Sequence, residues 1–185
     1  HLSKKCLSVI LIDCAENRAK IWFGEDDQID ALIRDKFLGD LKNAVNGNYS
    51  DWLSSARGQL ALIIILDQFS RHIYRGTSGA YETDKQAMDV CLAGLNLEYD
   101  HQLSLIERVF YYFPLLHSED IEMQNKSVQA YQMLSDLSFV ETRVIFESFF
   151  ISPALLIPTS NTPYSCLIFK SSTFQSLIRV ILFPF

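Results

Sequence analysis

Between residues 27 and 45 the apolar side chains Ile29, Leu32, Ile33, Phe37, Leu41, Ala44 and Val45 recur every three or four positions. That period lays them along one stripe of a helix. Asp27 offers a capping oxygen at the start and Asn46-Gly47 ends the pattern, so an amphipathic helix with its own boundaries is predicted here. Residues 46–50 read as a loop leading to Trp52, and Ser55 can cap the next helix. From 59 to 74 the pattern changes: Leu60, Ala61, Leu62, Ile63, Ile64, Ile65, Leu66, Phe69 and Ile73 cover nearly the whole circumference. A helix that is apolar all round is central and covered on every side. The β-branched run alone would also suit a strand, but its length and the four-residue spacing of Asp67, Arg71 and Arg75 favour helix.

Residues 76–79 form a turn, after which Thr83 or Asp84 can cap a helix carrying Ala87, Met88, Cys91, Leu92 and Leu95 on one face. Residues 103–113 read as its antiparallel partner, interrupted by Pro114. Ser118, followed by Glu119, Asp120 and Glu122, puts a cap and negative charge at the start of a further helix that runs to about Leu134. A shorter helix over 16–23, closed by Gly24, precedes them all. Successive helices with short connections, each needing neighbours, describe an all-α array of antiparallel helix pairs. The 34-residue tetratricopeptide signature is not visible in any register.

Beyond Leu137 this regularity stops. Glu141, Arg143, Glu147, Lys170 and Arg179 are the only charges left, and Pro153, Pro158 and Pro163 forbid one continuous helix. Residues 139–151 suit one more helix, and 174–185 suit either a buried helix or a strand. The expected organisation is an atypical segment over 1–14, a helical domain over 15–136 and a divergent apolar tail over 137–185. The tail admits two readings: an extension that completes the core, or a translation that has left the gene's reading frame. His1 in place of Met points to a fragment or an imperfect gene model.

Composition narrows the partners. With 49% hydrophobic residues the chain can bury a substantial core, and a formal net charge of −6 counts against nucleic acid and anionic membranes, which select clustered Lys and Arg. Cys6, Cys14, Cys91 and Cys166 show no C-x-x-C spacing, so free thiols are expected rather than a zinc site or a redox dithiol. Lys4 and Lys5 before the apolar run 6–12 imitate a signal peptide, but Asp13 ends that run too early. No stretch reads as a membrane span. A cytoplasmic chain without metal or cofactor is expected, and its oligomeric state is not legible.

Two constellations carry chemistry-bearing residues. In the first, Asp67, Gln68, Arg71 and Arg75 sit on the apolar helix, where a buried charge must be paired and hydrogen-bonded. They either lock helix packing through an Asp67–Arg71 pair or offer guanidinium forks to an anion. In the second, His117 stands beside Ser118, Glu119 and Asp120. His117 oriented by Glu119 can act as a general base, whereas the plainer reading is a cap, a favourable dipole charge and a satisfied imidazole. Ser118 is no nucleophile for His117, because adjacent side chains diverge. Trp22, Phe23, Tyr111 and Tyr112 are read as core.

Taken together, Trp22-Phe23-Gly24, the Arg34–Phe37 step, Leu66-Asp67-Gln68-Phe69 with Arg71 and Arg75-Gly76, and Phe113-Pro114 with His117-Ser118-Glu119-Asp120 and Gln124 resemble the domain of unknown function 924 family. The resemblance covers about residues 21–134. It implies a TPR-like, all-α fold with no established activity, cofactor or substrate. Ser70-Arg71-His72 stands where that family usually shows Pro-Arg-Asn, which implies a helix ending near Phe69. The family's closing Phe-Pro-His-Arg-Asn and Leu-Gly-Arg segments have no counterpart after Leu134.

The expected function is a non-catalytic binding or scaffold domain holding a peptide or small anionic ligand, with Arg71, Arg75 and Gln68 as contacts. Two alternatives accompany it. One is a hydrolase in which His117, Glu119 and Asp67 converge, which fails if His117 and Asp67 stand more than about 10 Å apart. The other is an inactive fragment of a family member.

Overall fold

The computed structural model describes residues 26–137, and every regular element among them is helical. The segment 1–25, with the short helix expected there and Trp22-Phe23-Gly24, and everything expected after residue 137 lie outside the described residues.

Helix α1 (Asp27–Val45) is capped one residue earlier than expected. Asp26 is the capping residue, its carboxylate accepting from the Gln28 and Ile29 amides, while Asp27 is already helical and adds charge to the positive end of the helix. The apolar stripe is narrower than the sequence suggests. Ile33, Phe37, Leu41 and Ala44 are buried, whereas Leu32 and Val45 lie at its exposed edges. Burial of Phe37 and Leu41 stabilises the fold by about 1.5–3 kcal/mol each.

A 3-10 turn at Ser50–Ser54 leads to the central helix, whose first part is α2 (Ala56–Ile63). The Ser55 side chain accepts from the Gly58 amide, as expected. The helix then widens into a π turn at Ile64–Phe69 and tightens again into α3 (Ser70–Ile73). Every residue from 58 to 70 is buried, so the all-round apolar pattern does mark the centre of the fold. The end expected near Phe69 is not observed. Ser70 has the amide and lacks the ring that would stop a helix, and its hydroxyl donates to the Ala80 carbonyl at 3.2 Å, anchoring the following loop to the helix.

Widening has a local consequence. A π turn takes the backbone off the regular four-residue ladder. The Leu66 carbonyl accepts from the Thr83 hydroxyl, and the Asp67 carbonyl accepts from the Arg71 guanidinium at 3.4 Å. Thr83, expected as a helix cap, makes no capping bond to the helix it precedes.

That helix is α4 (Asp84–Leu95), followed by α5 (Leu105–Tyr111), α6 (Phe113–His117) and α7 (Ile121–Leu137). The α5 start is fixed by a reciprocal capping box between Ser104 and Glu107. Pro114 sits in the first turn of α6, where its missing amide costs nothing, and so separates α5 from α6 as expected. Asp120 rather than Ser118 caps α7, accepting from the Glu122 amide at 2.7 Å, while Ser118 accepts from the Asp120 amide at 3.1 Å.

The central helix lies between α1, which packs on the π turn and α3, and α4, which packs on α2; α6 bridges α4 and α7. Tyr131 of α7 reaches through the core to donate to the Val109 carbonyl at 2.9 Å. Side-chain ends from α2 and α5 close on Gly94 of α4: a Cβ there would stand 1.7 Å from the Tyr111 hydroxyl and 2.0 Å from the Gln59 amide oxygen. Those two groups hydrogen-bond each other at 2.6 Å. Gly94→Ala therefore displaces the Tyr111 and Gln59 side chains and disrupts that bond, and urea unfolding should show a loss of about 1–3 kcal/mol. No described helix is long and apolar enough to cross a membrane.

Candidate functional site

The two constellations meet. Asp67, carried inward by the π turn, places Oδ1 2.7 Å from Nδ1 of His117 at the end of α6, fifty positions away in sequence. The second oxygen of Asp67 accepts from the Gln68 side-chain amide. Arg71 approaches Oδ1 at 3.4 Å and spends its fork on Asp84, the first residue of α4, at 2.8 and 3.1 Å. Its guanidinium also lies 5.3 Å from the centre of the Tyr81 ring and donates to the Ala80 carbonyl. The result is one row, His117–Asp67–Arg71–Asp84, that joins the central helix to α4 and α6.

Burial is the largest influence on both ends of the Asp67–His117 pair. For Asp67 it favours the neutral acid, but the Arg71 charge, then His117 and the Gln68 amide outweigh it and bring the carboxyl down to about 2. For His117 burial disfavours the imidazolium, Arg71 adds to that, and Asp67 restores only part, so its pKa falls below the ordinary histidine value. At neutral pH the pair is thus an aspartate and a neutral imidazole. Only a proton on Nδ1 makes that contact a hydrogen bond, which leaves the lone pair on Nε2.

This row forms one side of a cleft of about 690 Å³. Met88 and Leu92 of α4, Pro114 of α6 and Met123 of α7 supply apolar wall, and Tyr81, Lys85, Ser118, Glu119 and Asp120 complete it. Glu119 is exposed at the cleft, and the carboxylate that holds His117 is Asp67, not its sequence neighbour.

The other expected contacts fall elsewhere. Gln68 is buried against Asp67 and is not part of the cleft lining. Arg75 does not share a side with Asp67 and Arg71. The helix ends at Ile73, Tyr74 leaves helical geometry at φ −115°, and Arg75 turns to Asp30 on α1, with Nη2 2.9 Å from Oδ1. His72 meets the same carboxylate at 2.7 Å. Arg34 of α1 completes that seam by donating to the Ile73 carbonyl from Nε at 3.1 Å. This second polar cluster fastens α1 to the end of the central helix.

Sequence reasoning missed Asp84, Tyr81, Met88, Leu92 and Met123 as members of the site. A signal was present in part: Asp84, Met88 and Leu92 follow at four-residue intervals and so share a face of α4. No group of three or more His, Cys, Asp or Glu side chains among the described residues could hold a metal ion. Cys91 is a buried free thiol, its Sγ donating to the Tyr111 carbonyl at 3.2 Å, and burial pushes its pKa well up.

Compared with known proteins, residues 9–151 match the model of a family described as bacterial protein of unknown function (DUF924). The matched stretch is wider at both ends than residues 21–134. Among solved structures, a protein of unknown function from Agrobacterium tumefaciens is similar, at 27% identity and a TM-score of 0.65. The alignment covers 90% of this chain and 96% of that one. No curated protein matches the chain significantly.

Proposed function

Since this chain belongs to the DUF924 family of bacterial proteins of unknown function, we propose that it is a non-catalytic binding protein that holds a small ligand in the cleft between α4, α6 and α7. The observation that carries the reading is the cleft itself: about 690 Å³, with apolar wall from Met88, Leu92, Pro114 and Met123 and a row of fixed polar groups along one side. Small-ligand sites have that size and that mixture. The inner polar groups, His117, Asp67, Arg71 and Asp84, are already paired, which suits a preorganised surface that orients a ligand without being rearranged by it. A TPR-like stacking of helix pairs belongs to the same proposal and is supported by the packing of α2 on α4 and of α6 on α7.

Three methionines make the test direct. Met88 and Met123 line the cleft, whereas Met133 lies outside it and is 52% exposed. With methyl-labelled methionine, a ligand from a small-molecule library should move the Met88 and Met123 signals together and leave Met133 in place. Ligands that move Met133 alone, or none that moves the other two, would remove the cleft as the binding site.

The Asp67–His117 contact favours a second reading, a hydrolase with His117 as general base. The two groups converge at 2.7 Å, well inside the limit that the reading requires. Against it, the imidazole is only 1% exposed and its Nε2 is buried, a poor placement for contact with water or substrate. Ester, phosphoester and amide substrates should show no turnover beyond that of His117→Gln. Any turnover that this variant abolishes while still folding would reinstate the enzyme.

A further inference from the structure

We propose that the cleft selects a ligand with a positively charged end on a short hydrocarbon stem, an alkylammonium, rather than the anion that Arg71 suggests in isolation. The inference rests on the cleft being the binding site. Its charge balance comes first. Asp67, Asp84, Glu119 and Asp120 face it against Arg71 and Lys85, four carboxylates to two cations, a formal balance of −2.

Both cations already face a carboxylate. Arg71 is held by Asp84 through two bonds and by Asp67 at 3.4 Å, so an arriving anion would have to displace a carboxylate and leave it facing another negative charge. Lys85 turns outward to Asp89 at 2.7 Å, with its side chain 85% exposed. Arg71 bonds to both inner carboxylates, Asp67 and Asp84, but offsets only one of their two charges. Glu119 and Asp120 at the start of α7, both exposed, add two further negative charges, Asp120 while capping the helix. A potential of that sign attracts cations into the cleft and repels anions.

The walls define the rest of the ligand. Met88, Leu92 and Met123 offer flexible apolar surface to a hydrocarbon stem. The Tyr81 ring, 61% exposed at the rim and already facing the Arg71 cation, adds an aromatic face of the kind that favours positive charge. A cationic head near Glu119 and Asp120 with its stem along the methionines satisfies both halves of the site.

The test uses three probes of equal length, hexylammonium, hexanoate and 1-hexanol, titrated into the full chain and followed by the methionine methyl signals. Hexylammonium should shift Met88 and Met123 saturably and bind more tightly than either other probe. Glu119→Gln with Asp120→Asn, which keeps the α7 cap, should weaken hexylammonium about three- to tenfold and leave hexanol unchanged. Raising the salt should do the same, because exposed charges are screened. If hexanoate or hexanol binds as tightly as the amine, or if the double variant changes nothing, the cationic selection is wrong while the cleft stands. If no probe moves Met88 or Met123, the cleft reading falls with it.

Discussion

Asp67→Ala is expected to lower the stability of the domain by about 3–5 kcal/mol, the range found when one member of a buried charge pair is removed. The carboxylate is fully buried and serves Arg71, His117 and Gln68 at once. Without it Arg71 keeps Asp84, but the Nδ1 proton of His117 and the Gln68 amide lose the buried carboxylate that accepts from them. Domains of this size are stable by about 5–15 kcal/mol, so the loss is a large share of the total. Urea unfolding should show a lower midpoint with an unchanged slope. Asp67→Asn, which keeps the shape and one acceptor, should cost less and should disturb the Nδ1–H tautomer of His117, a change visible in imidazole nitrogen spectra. If Asp67→Ala unfolds within about 1 kcal/mol of the parent, the row is not what joins the central helix to α4 and α6.

The second large effect is a loss of stability in acid, in two stages. His72 and His117 both titrate below the ordinary 6.5, because burial penalises their charged forms. The unfolded chain therefore takes up protons before the folded one does, and stability falls as the pH drops below about 6.5. Asp67 contributes lower down. Its folded pKa of about 2 lies under the unfolded 3.8, so its stabilisation is complete above the unfolded value and lost as the pH falls through the folded one. Its contribution is on the order of 2 kcal/mol, at about 1.4 kcal/mol for each pH step between the two. Asp30, depressed in the same direction, adds to the loss in acid. Unfolding free energies measured from pH 7 to pH 2 should decline through both windows, and Asp67→Asn should flatten the lower one. A flat profile below pH 4 in the parent would contradict the burial of an ionised Asp67.

Much of the helical layout is legible in the sequence because its signals are local. The Ser55 cap, the stop at Asn46-Gly47 and the break at Pro114 each depend on a few adjacent residues. Local signals also mislead by small amounts when two candidates adjoin, as with Asp26 for Asp27 and Asp120 for Ser118. Ser104 and Glu107 carried a readable capping box that periodicity alone overlooks.

The site is legible only in its parts. That Asp67 and Arg71 must be paired follows from their apolar surroundings, and the pair exists. That Asp84 takes the Arg71 fork, or that Asp67 takes His117 from Glu119, depends on how α4 and α6 pack, which no local pattern encodes. Arg75 was grouped with Asp67 by four-residue spacing, and that spacing holds only while the helix is regular and unbroken. The widening at Ile64–Phe69 and the end at Ile73 void it. An all-round apolar run hides such a change, because every register buries the same kind of side chain.

The π turn has one more consequence. A single additional residue wound into a helix turns everything after it by about 100° relative to what came before. The orientation of Asp67 toward His117 and that of Arg71 toward Asp84 are thus set by the number of residues in 64–69 as much as by their identity. Deleting one of those residues would let the backbone return to its ordinary ladder without losing much apolar content, yet one of the two contacts would swing out of line. A substitution there is a question of packing. A change in length is a question of whether the row exists at all.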